Sequence, residues 1–374
     1  MSQTETLLRD HLVGAAEITN HGDYFSFKRV PTWTEAKHGH SFMAIDVASQ
    51  GSGVRLDFET DASQMSMSLA FDAVLWPGLP EVPVQIVVEI DGKPQNYPLT
   101  NLRYLGFPGF NRLGDLKFAE VTFDLGESKT KRVTVWFPHN AISYVSKIEI
   151  NGETKPYRST APKWVHYGSS ISHSGEANFP TGVWPVIASK TLDLDVVNLG
   201  LGGNALLDPY MAKVILDHDP EYVSMKIGIN SINAGSHTLR TFYPGVYGLI
   251  ESLIEKKPNL KILLISPIFC PPHEDGFGPT VFDMEAHKAT ANPNPAPEMV
   301  PANLNLKRVR EALEKIANDL QAAGVNIKFL SGLELLSEAD THLLEDDLHP
   351  NSEGYELMGN RFASHPKVHE WLGL

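Results

Sequence analysis

The sequence contains a single cysteine, Cys270, among its 374 residues. One thiol cannot form an internal disulfide, and a structural zinc site needs several such ligands at regular spacing. Basic residues are also scarce, because 31 lysines and arginines stand against 45 aspartates and glutamates, giving a formal charge of −14. Binding to nucleic acid or to an anionic membrane needs clustered positive charge. We therefore expect neither a nucleic-acid partner nor a membrane partner.

Long apolar segments are absent as well. No apolar run is long enough to cross a bilayer. The first twenty residues lack the basic segment followed by an apolar segment that is typical of a secretory signal. These absences predict a cytoplasmic location. The composition, 42% hydrophobic and 20% charged, is that of a globular protein, and the chain length favours two domains.

The N-terminal part, from about Phe25 to Asn151, consists of short segments that either alternate apolar and polar residues or are continuously apolar and β-branched. Turn signals such as Asp91-Gly92 separate them. The segments interpreted as strands include SFMAIDVAS, GVRLDFET, QMSMSLAFDAV, VPVQIVVEID, FAEVTFDL and KRVTVWFP. Many short strands predict an all-β sandwich, jelly-roll-like in form. Before them we predict a short helix with Thr4 as its cap.

The pattern changes after Gly152–Lys163, a polar segment with two prolines that we interpret as a linker. Short apolar runs then alternate with helical segments, and those runs are WVHYG, DVVNLG, EYVSMKIG, KILLISPI and VNIKFL. Such alternation predicts an α/β domain with a parallel sheet covered by helices on both faces. The sequence therefore predicts a β-sandwich domain over residues 1–155 and an α/β domain over residues 156–374.

Polar and glycine-rich sequence follows several of these predicted strands. GSSI follows the first strand, NLGLGGNA the second and GINSIN the third, and DDLHP lies near the C-terminus. In an open α/β sheet, functional sites form outside the carboxyl ends of the strands, which lie at one edge. We expect these segments to form a candidate active site together.

Ser170, within GSSI, is the candidate nucleophile. A serine hydroxyl attacks efficiently only when a base removes its proton, and His349 in DDLHP is the candidate base. Asp346, three residues earlier, can orient the imidazole and stabilise its cation. Asp347, the next residue, is an alternative for that role.

Acyl transfer also needs hydrogen-bond donors aimed at the oxygen that becomes negative. The candidates are the backbone N–H of Gly203, the side-chain amide of Asn230 and the backbone N–H of Ser170. We expect no metal and no cofactor. His273 and Glu274 could suggest a metal site, but no third ligand shares their spacing.

Each candidate residue also has a purely structural explanation. A serine before a helix is commonly an N-cap, and a histidine in a turn can be held there by its neighbours. Asn230 could satisfy buried backbone groups. The glycines of NLGLGG could form a tight turn or contact a phosphate, but they lack the Gly-Lys-Ser/Thr ending of a P-loop. The coincidence of four such segments favours chemistry over these explanations.

In order along the chain, YGSSI, NLGLGG, GIN and DDLHP resemble the four blocks of the SGNH, or GDSL-type, hydrolases. The resemblance covers roughly Trp164 to the C-terminus. It implies a three-layer, flavodoxin-like esterase domain. In such a domain the nucleophile would be Ser170, the base His349 and the orienting acid Asp346. The oxyanion donors would be Gly203 and Asn230.

Two positions depart from the family pattern. Ser169 stands where Gly-Asp-Ser has its aspartate, and Ser231 stands where Gly-x-Asn-Asp has its aspartate. A β-sandwich followed by such a domain also resembles certain carbohydrate acetylesterases. We therefore expect a serine esterase that hydrolyses a short acyl, acetyl-type ester of a sugar or small alcohol through an acyl-enzyme. The alternatives are a carbohydrate-binding protein with a degenerate hydrolase domain and an acyltransferase with the same triad.

The segment from Pro271 to Pro301 is long for a loop and rich in proline and asparagine. We predict that it forms a wall or lid over Ser170 and sets acyl or alcohol selectivity. The sequence leaves the oligomeric state open, and a homo-oligomer is compatible with it.

Overall fold

The structure, a computed structural model, describes residues 2–75, 82–106 and 111–374. The chain divides into two compact units. The first comprises Met1–Thr160 and Ala177–Val183, and the second comprises Ala161–Glu176 and Trp184–Leu374. A boundary between independently folding domains after residue 155 stays a prediction.

The first unit consists mainly of short β-strands. Its helices are α1 (Gln3–His11) and α2 (Phe42–Ser49). Its strands are β1 (Leu12–Val13), β2 (Glu17–Asn20), β3 (Phe25–Lys28), β4 (Arg55–Thr60), β5 (Gln64–Leu75), β6 (Gln85–Ile90), β7 (Lys93–Pro98), β8 (Leu102–Gly106), β9 (Asn111–Leu113), β10 (Ala119–Asp124), β11 (Lys131–Trp136), β12 (Ala141–Ile150) and β13 (Thr154–Pro156).

These strands form two sheets with one core between them. One sheet has the order β1-β4-β11-β6-β7 with β13 paired to β4, and the other has the order β2-β3-β12-β5-β8-β9 with β10 paired to β5. Alternate side chains of both sheets enter the core, including the fully buried Phe58, Met67, Phe71, Val88, Phe123 and Val133. This alternation is the period-two pattern of the sequence. The predicted all-β sandwich is confirmed.

The prediction of a strand at SFMAIDVAS was wrong, because this segment is helix α2. Ser41 is its N-cap, and the Ser41 hydroxyl accepts a hydrogen bond from the Ala44 N–H. At the other end, the buried guanidinium of Arg29 donates to the carbonyl oxygens of Val47 and Gln50, each at 2.7 Å. Helix-terminal carbonyls otherwise lack partners. Arg29, a residue outside the segment, therefore favours the helix, and the sequence of the segment itself could not indicate this.

Two smaller predictions also need correction. Ser2, not Thr4, caps α1, because the Ser2 hydroxyl accepts from the Glu5 N–H at 3.1 Å. The Thr4 hydroxyl instead accepts from the Ile148 N–H at 3.1 Å. The predicted linker Gly152–Lys163 contains β13, which adds an edge strand beside β4. An edge strand tolerates proline because proline lacks the N–H that a central strand must donate.

The second unit alternates strands and helices. Its strands are β14 (Lys163–Gly168), β15 (Asp195–Gly200), β16 (Tyr222–Lys226), β17 (Lys261–Ile265), β18 (Val281–Asp283), β19 (Lys288–Thr290) and β20 (Ile327–Leu330). Its helices are α3 (Ser170–His173), α4 (Trp184–Leu192), α5 (Met211–Asp217), α6 (Ile229–Asn233), α7 (Leu239–Lys256), α8 (Leu306–Ala322), α9 (Ser352–Ser364) and α10 (Pro366–Leu372).

Five strands of this unit form a parallel sheet in the order β15-β14-β16-β17-β20. Numbered within the sheet, this is the flavodoxin-like order 2-1-3-4-5. The order reverses at the neighbouring strands β14 and β16, so the loops beyond their carboxyl ends diverge and leave room for a ligand. The predicted parallel α/β fold class is confirmed.

Candidate active site

Ser170 begins α3 immediately beyond the carboxyl end of β14. Ser169, the residue before it, is extended, and Ser174 has left-handed dihedral angles (φ 57°, ψ 48°), so α3 is a single turn. The Ser169 side chain makes no capping hydrogen bond. The first N–H groups of a helix have no acceptor within that helix. The N–H and hydroxyl of Ser170 therefore both lie at the strand edge where a ligand is expected.

Buried polar side chains support α3. The Nε2 atom of His166 lies 2.7 Å from the Ser172 hydroxyl, and its Nδ1 atom lies 2.6 Å from the Ser224 hydroxyl. Because Ser224 accepts from the Trp164 indole N–H at 2.8 Å, we assign its own proton to His166 Nδ1, so that His166 Nε2–H donates to Ser172. Burial, with a smaller contribution from the charge of Lys226, lowers the pKa of His166 to about 3. The ring therefore stays neutral and keeps this pattern.

The same turn packs directly on the backbones of β14 and β15. The Nδ2 atom of the Asn198 side chain donates to the Ser172 backbone carbonyl at 2.8 Å, and its Oδ1 atom accepts from the Gly200 N–H at 3.0 Å. A Cβ atom at Gly168 would overlap the Ser172 side chain, and one at Gly200 would overlap the α3 backbone. Sequence reasoning missed these supporting residues, although a glycine ends each strand.

His349 lies in the loop before α9 and contacts Ser170. Its Nε2 atom is 2.9 Å from the Ser170 hydroxyl oxygen, and its Nδ1 atom is 2.7 Å from Asp346 Oδ2. The other Asp346 oxygen accepts from the backbone N–H groups of Leu348 and His349, at 3.0 and 2.6 Å. The structure thus brings Ser170, His349 and Asp346 into one hydrogen-bonded chain.

Asp347, the alternative orienting carboxylate, contacts a different group. Its Oδ2 atom lies 2.8 Å from the Lys288 ammonium, and both side chains are partly exposed. The backbone of Asp347 is left-handed, with φ 63°. Asp346 is therefore the carboxylate that contacts the imidazole.

Carboxylates determine the electrostatics around His349. Burial disfavours the imidazolium, but the charges of Asp346, Glu176 and Glu345 outweigh it and raise the pKa of His349 to about 9. Burial likewise opposes the charged form of Asp346, but His349 and the backbone hydrogen bonds lower its pKa. The site therefore stabilises a positive charge on the imidazole, which is the charge that proton transfer from Ser170 would create.

Two of the candidate oxyanion donors, Asn230 and Gly203, have no acceptor among the described residues. The side-chain Oδ1 atom of Asn230 accepts from the Ala205 N–H at 3.0 Å, whereas its buried Nδ2 atom has no hydrogen-bond partner in the described part of the chain. Nor does the Gly203 N–H donate to any described residue. An unpaired buried donor costs about 1–3 kcal/mol. Such a cost is compensated when a ligand supplies the acceptor, as an oxyanion does.

The two departures from the family pattern are buried. The hydroxyls of Ser169 and Ser231 have no hydrogen-bond partner within residues 2–75, 82–106 and 111–374. Neither hydroxyl therefore takes part in the hydrogen-bonded chain of Ser170.

Within the same described ranges, no group of three or more histidine, cysteine, aspartate or glutamate side chains is arranged to hold a metal ion. No helix among these residues combines the length and apolar character that crossing a membrane requires.

Sequence comparison identifies the family of this fold. The profile of the GDSL-like Lipase/Acylhydrolase family matches residues 166–357, just over half of the chain. The protein is therefore of the class of GDSL hydrolases and acyl-transferring enzymes. The chain belongs to the GDSL-like lipase/acylhydrolase family, which confirms the family expected from the four motifs. No curated protein matches the sequence.

Solved structures resemble the chain over nearly its whole length. The salicylyl-acyltransferase SsfX3 from a tetracycline biosynthetic pathway is 22% identical with a TM-score of 0.78, covering 97% of this chain and 94% of that one. A family two carbohydrate esterase from Cellvibrio japonicus is 13% identical with a TM-score of 0.58, covering 97% and 96%. One from Clostridium thermocellum, in complex with cellohexaose, is 13% identical with a TM-score of 0.59, covering 87% and 94%. At these identities the likeness concerns the fold.

Proposed function

We propose that the protein is a serine esterase that acts through an acyl-enzyme, with Ser170 as nucleophile, His349 as base and Asp346 as the orienting acid. The observation that carries this proposal is the hydrogen-bonded chain from Ser170 through His349 to Asp346, with contacts of 2.9 and 2.7 Å. These contacts are within the reach that proton transfer requires. Membership of the GDSL-like family supports the same reaction class.

Acylation begins when the Ser170 oxygen attacks the ester carbonyl carbon and its proton moves to His349 Nε2. The carbonyl oxygen becomes negative and accepts hydrogen bonds from the N–H groups of Gly203 and Ser170 and from the Asn230 amide. Asp346 holds Nδ1–H and stabilises the imidazolium. When the tetrahedral intermediate collapses, the carbon–oxygen bond to the alcohol breaks, and His349 returns the proton to that alcohol.

Deacylation repeats these steps with water in place of serine. His349 takes a proton from the water, whose oxygen attacks the acyl carbon of the Ser170 ester. Collapse then breaks the bond to the Ser170 oxygen, which takes the proton back from His349, and the free acid leaves. These steps require no cofactor.

The substrate class we propose is a short acyl, acetyl-type ester of a sugar or small alcohol. It is supported by the whole-chain similarity to family two carbohydrate esterases, one of which was solved in complex with cellohexaose. A cytoplasmic location stays a prediction. The alternative of a degenerate, carbohydrate-binding hydrolase domain is disfavoured by the hydrogen bond between Ser170 and His349.

Labelling with an organophosphorus ester tests the nucleophile. We expect a covalent adduct on Ser170, mapped by mass spectrometry, and loss of acetyl-ester turnover in Ser170→Ala with unchanged thermal unfolding. Ser169→Ala is the matched control, because the neighbouring hydroxyl makes no hydrogen bond with any described residue. Retained turnover in Ser170→Ala, or an adduct on another residue, would refute the assignment.

Acyl transfer to an alcohol is the second candidate. It is favoured by similarity to the salicylyl-acyltransferase, which covers 97% of this chain. The same acyl-enzyme would then react with an alcohol instead of water. Adding sugar or small-alcohol acceptors during turnover distinguishes the two, because a transferase forms a new ester at the expense of free acid.

A further inference from the structure

The segment between Pro271 and Pro301, here called the insertion, is folded against the candidate site. It includes the 3-10 turn Pro271–His273 and the hairpin of β18 and β19. Its Ala289 N–H donates to the Asp346 carbonyl at 2.9 Å. Another part of it contacts α6, the helix that carries Asn230.

Thr280 makes two hydrogen bonds to the last residue of α6. Its N–H donates to the Asn233 carbonyl at 3.0 Å, and its hydroxyl donates to Asn233 Oδ1 at 2.8 Å. The buried His273 also contacts Thr280, because its Nε2 atom lies 2.7 Å from the Thr280 hydroxyl oxygen. A Cβ atom at Gly278 would overlap the Ile232 carbonyl. Thr280 therefore holds the end of α6 in close contact with the insertion.

The helix α6 needs such support because it is very short. Its five residues form little more than one turn, and forming a first helical turn is unfavourable. It begins after Gly228, whose φ of 117° suits glycine. External contacts must therefore fix where the helix lies.

The position of α6 determines where the free amide of Asn230 points. The Oδ1 atom of Asn230 accepts a hydrogen bond from the Ala205 N–H, which fixes one end of the side-chain amide. The Nδ2 donor at its other end has no partner among the described residues. A shift of α6 would move that donor relative to the Ser170 helix. Misplacement of about 1 Å can cost about 100-fold in rate.

The insertion itself is firmly anchored, which a positioning element requires. The Arg310 guanidinium on α8 binds both carboxylate oxygens of Glu274 at 2.7 and 2.6 Å, and it also donates to the Pro267 and Ile268 carbonyls. The Arg310 and Glu274 side chains are nearly buried, so solvent screens this pair little.

We propose that Thr280 is a positioning residue for the oxyanion donor, holding α6 so that the Asn230 amide faces the reacting oxygen. This inference rests on the proposed function. It gives the insertion a part in the chemical step, in addition to the predicted role in substrate selectivity.

Replacing Thr280 by valine removes the hydroxyl and keeps the shape. We expect Thr280→Val to lower kcat for an acetyl ester about 10-fold or more with KM little changed, since an oxyanion donor acts in the transition state. Thr280→Ser keeps the hydroxyl and should restore most of kcat. Thr290→Val is the matched control, because the Thr290 hydroxyl donates to Val281 within the hairpin, and it should retain wild-type kcat.

A double-mutant cycle with Asn230→Ala separates positioning from general destabilisation. If Thr280 acts through Asn230, adding Thr280→Val to Asn230→Ala should produce little further loss of kcat. Wild-type kcat in Thr280→Val, or a full additional loss in the double variant, overturns the proposal. If Asn230→Ala itself retains wild-type kcat, the proposed oxyanion role fails, and this inference fails with it. Loss of turnover in Asn230→Ala but not in Thr280→Val refutes only the inference.

Discussion

Tyr355 donates its phenolic hydrogen to Glu176, with the two oxygens 2.5 Å apart. Tyr355 is fully buried in α9, and burial together with the Glu176 charge raises its pKa well above the usual range. The phenol therefore remains a donor throughout the pH range of ordinary assays. This bond holds in place one of the carboxylates that raise the pKa of His349.

The pH dependence of esterase activity should report on the negative charge of Glu176, which raises the pKa of His349. Only the neutral imidazole can accept the Ser170 proton, and the pKa of His349 is raised to about 9. We expect kcat/KM to rise by about tenfold per pH unit well below this pKa and to level off above it. Glu176→Gln removes a negative charge, so the pKa of His349 falls and the rising limb shifts to lower pH. Steady-state kinetics between about pH 5 and 10 measure the pH profile of kcat/KM for the wild-type protein and for Glu176→Gln.

Glu334→Gln provides the control for this shift. Glu334 also contacts a histidine, His365, at 2.9 Å, but it is not among the charges that raise the pKa of His349. Its profile should match that of the wild-type protein. A rising limb in Glu176→Gln at the wild-type position would contradict the electrostatic role of Glu176.

The Asn230 side chain should contribute strongly to kcat and little to the free energy of unfolding. Asn230→Ala removes an unpaired buried donor, which should raise the free energy of unfolding. The same change leaves the Ala205 N–H without its acceptor, which should lower it. Each effect is about 1–3 kcal/mol and they oppose each other, so the free energy of unfolding should change little. The loss of an oxyanion donor should lower kcat about 10²–10³-fold. Chemical denaturation and kinetics on the same variant measure the two effects.

Asn198→Ala is the informative comparison, because both ends of the Asn198 amide are hydrogen-bonded, to Ser172 and Gly200. This variant should lose stability as well as activity, since two buried backbone groups lose their partners. Equal stability losses in the two asparagine variants would argue that Asn230 is a structural residue.

The sequence predicted those features that depend on local pattern. Period-two alternation predicted the sandwich, and polar residues after apolar runs predicted that Ser170, Asn230 and His349 follow strands or lie in a terminal loop. The direct contact between His349 and Ser170 spans 179 positions. Its geometry could be inferred only because four motifs in order indicated one fold.

Features that depend on one distant side chain could not be predicted. The apolar residues of helix α2 were interpreted as a strand, yet the Arg29 guanidinium binds carbonyl groups at the carboxyl end of this helix. Thr280 and Asn233 are 47 positions apart and carry no motif. Such contacts depend on how elements pack, and a local sequence window does not contain that information.

The last prediction concerns the close approach of α3 to β15. A Cβ atom at Gly200 would overlap backbone atoms of α3, which can move away only by shifting the turn that carries Ser170. We expect Gly200→Ala to lower the free energy of unfolding by about 1–3 kcal/mol or more and to lower kcat strongly. Gly175→Ala is the matched control, because a Cβ there would have no described atom within 4 Å apart from those of Gly175 and its two chain neighbours. It should unfold and turn over substrate like the wild-type protein. If Gly200→Ala keeps full activity and stability, the glycine does not set the position of α3.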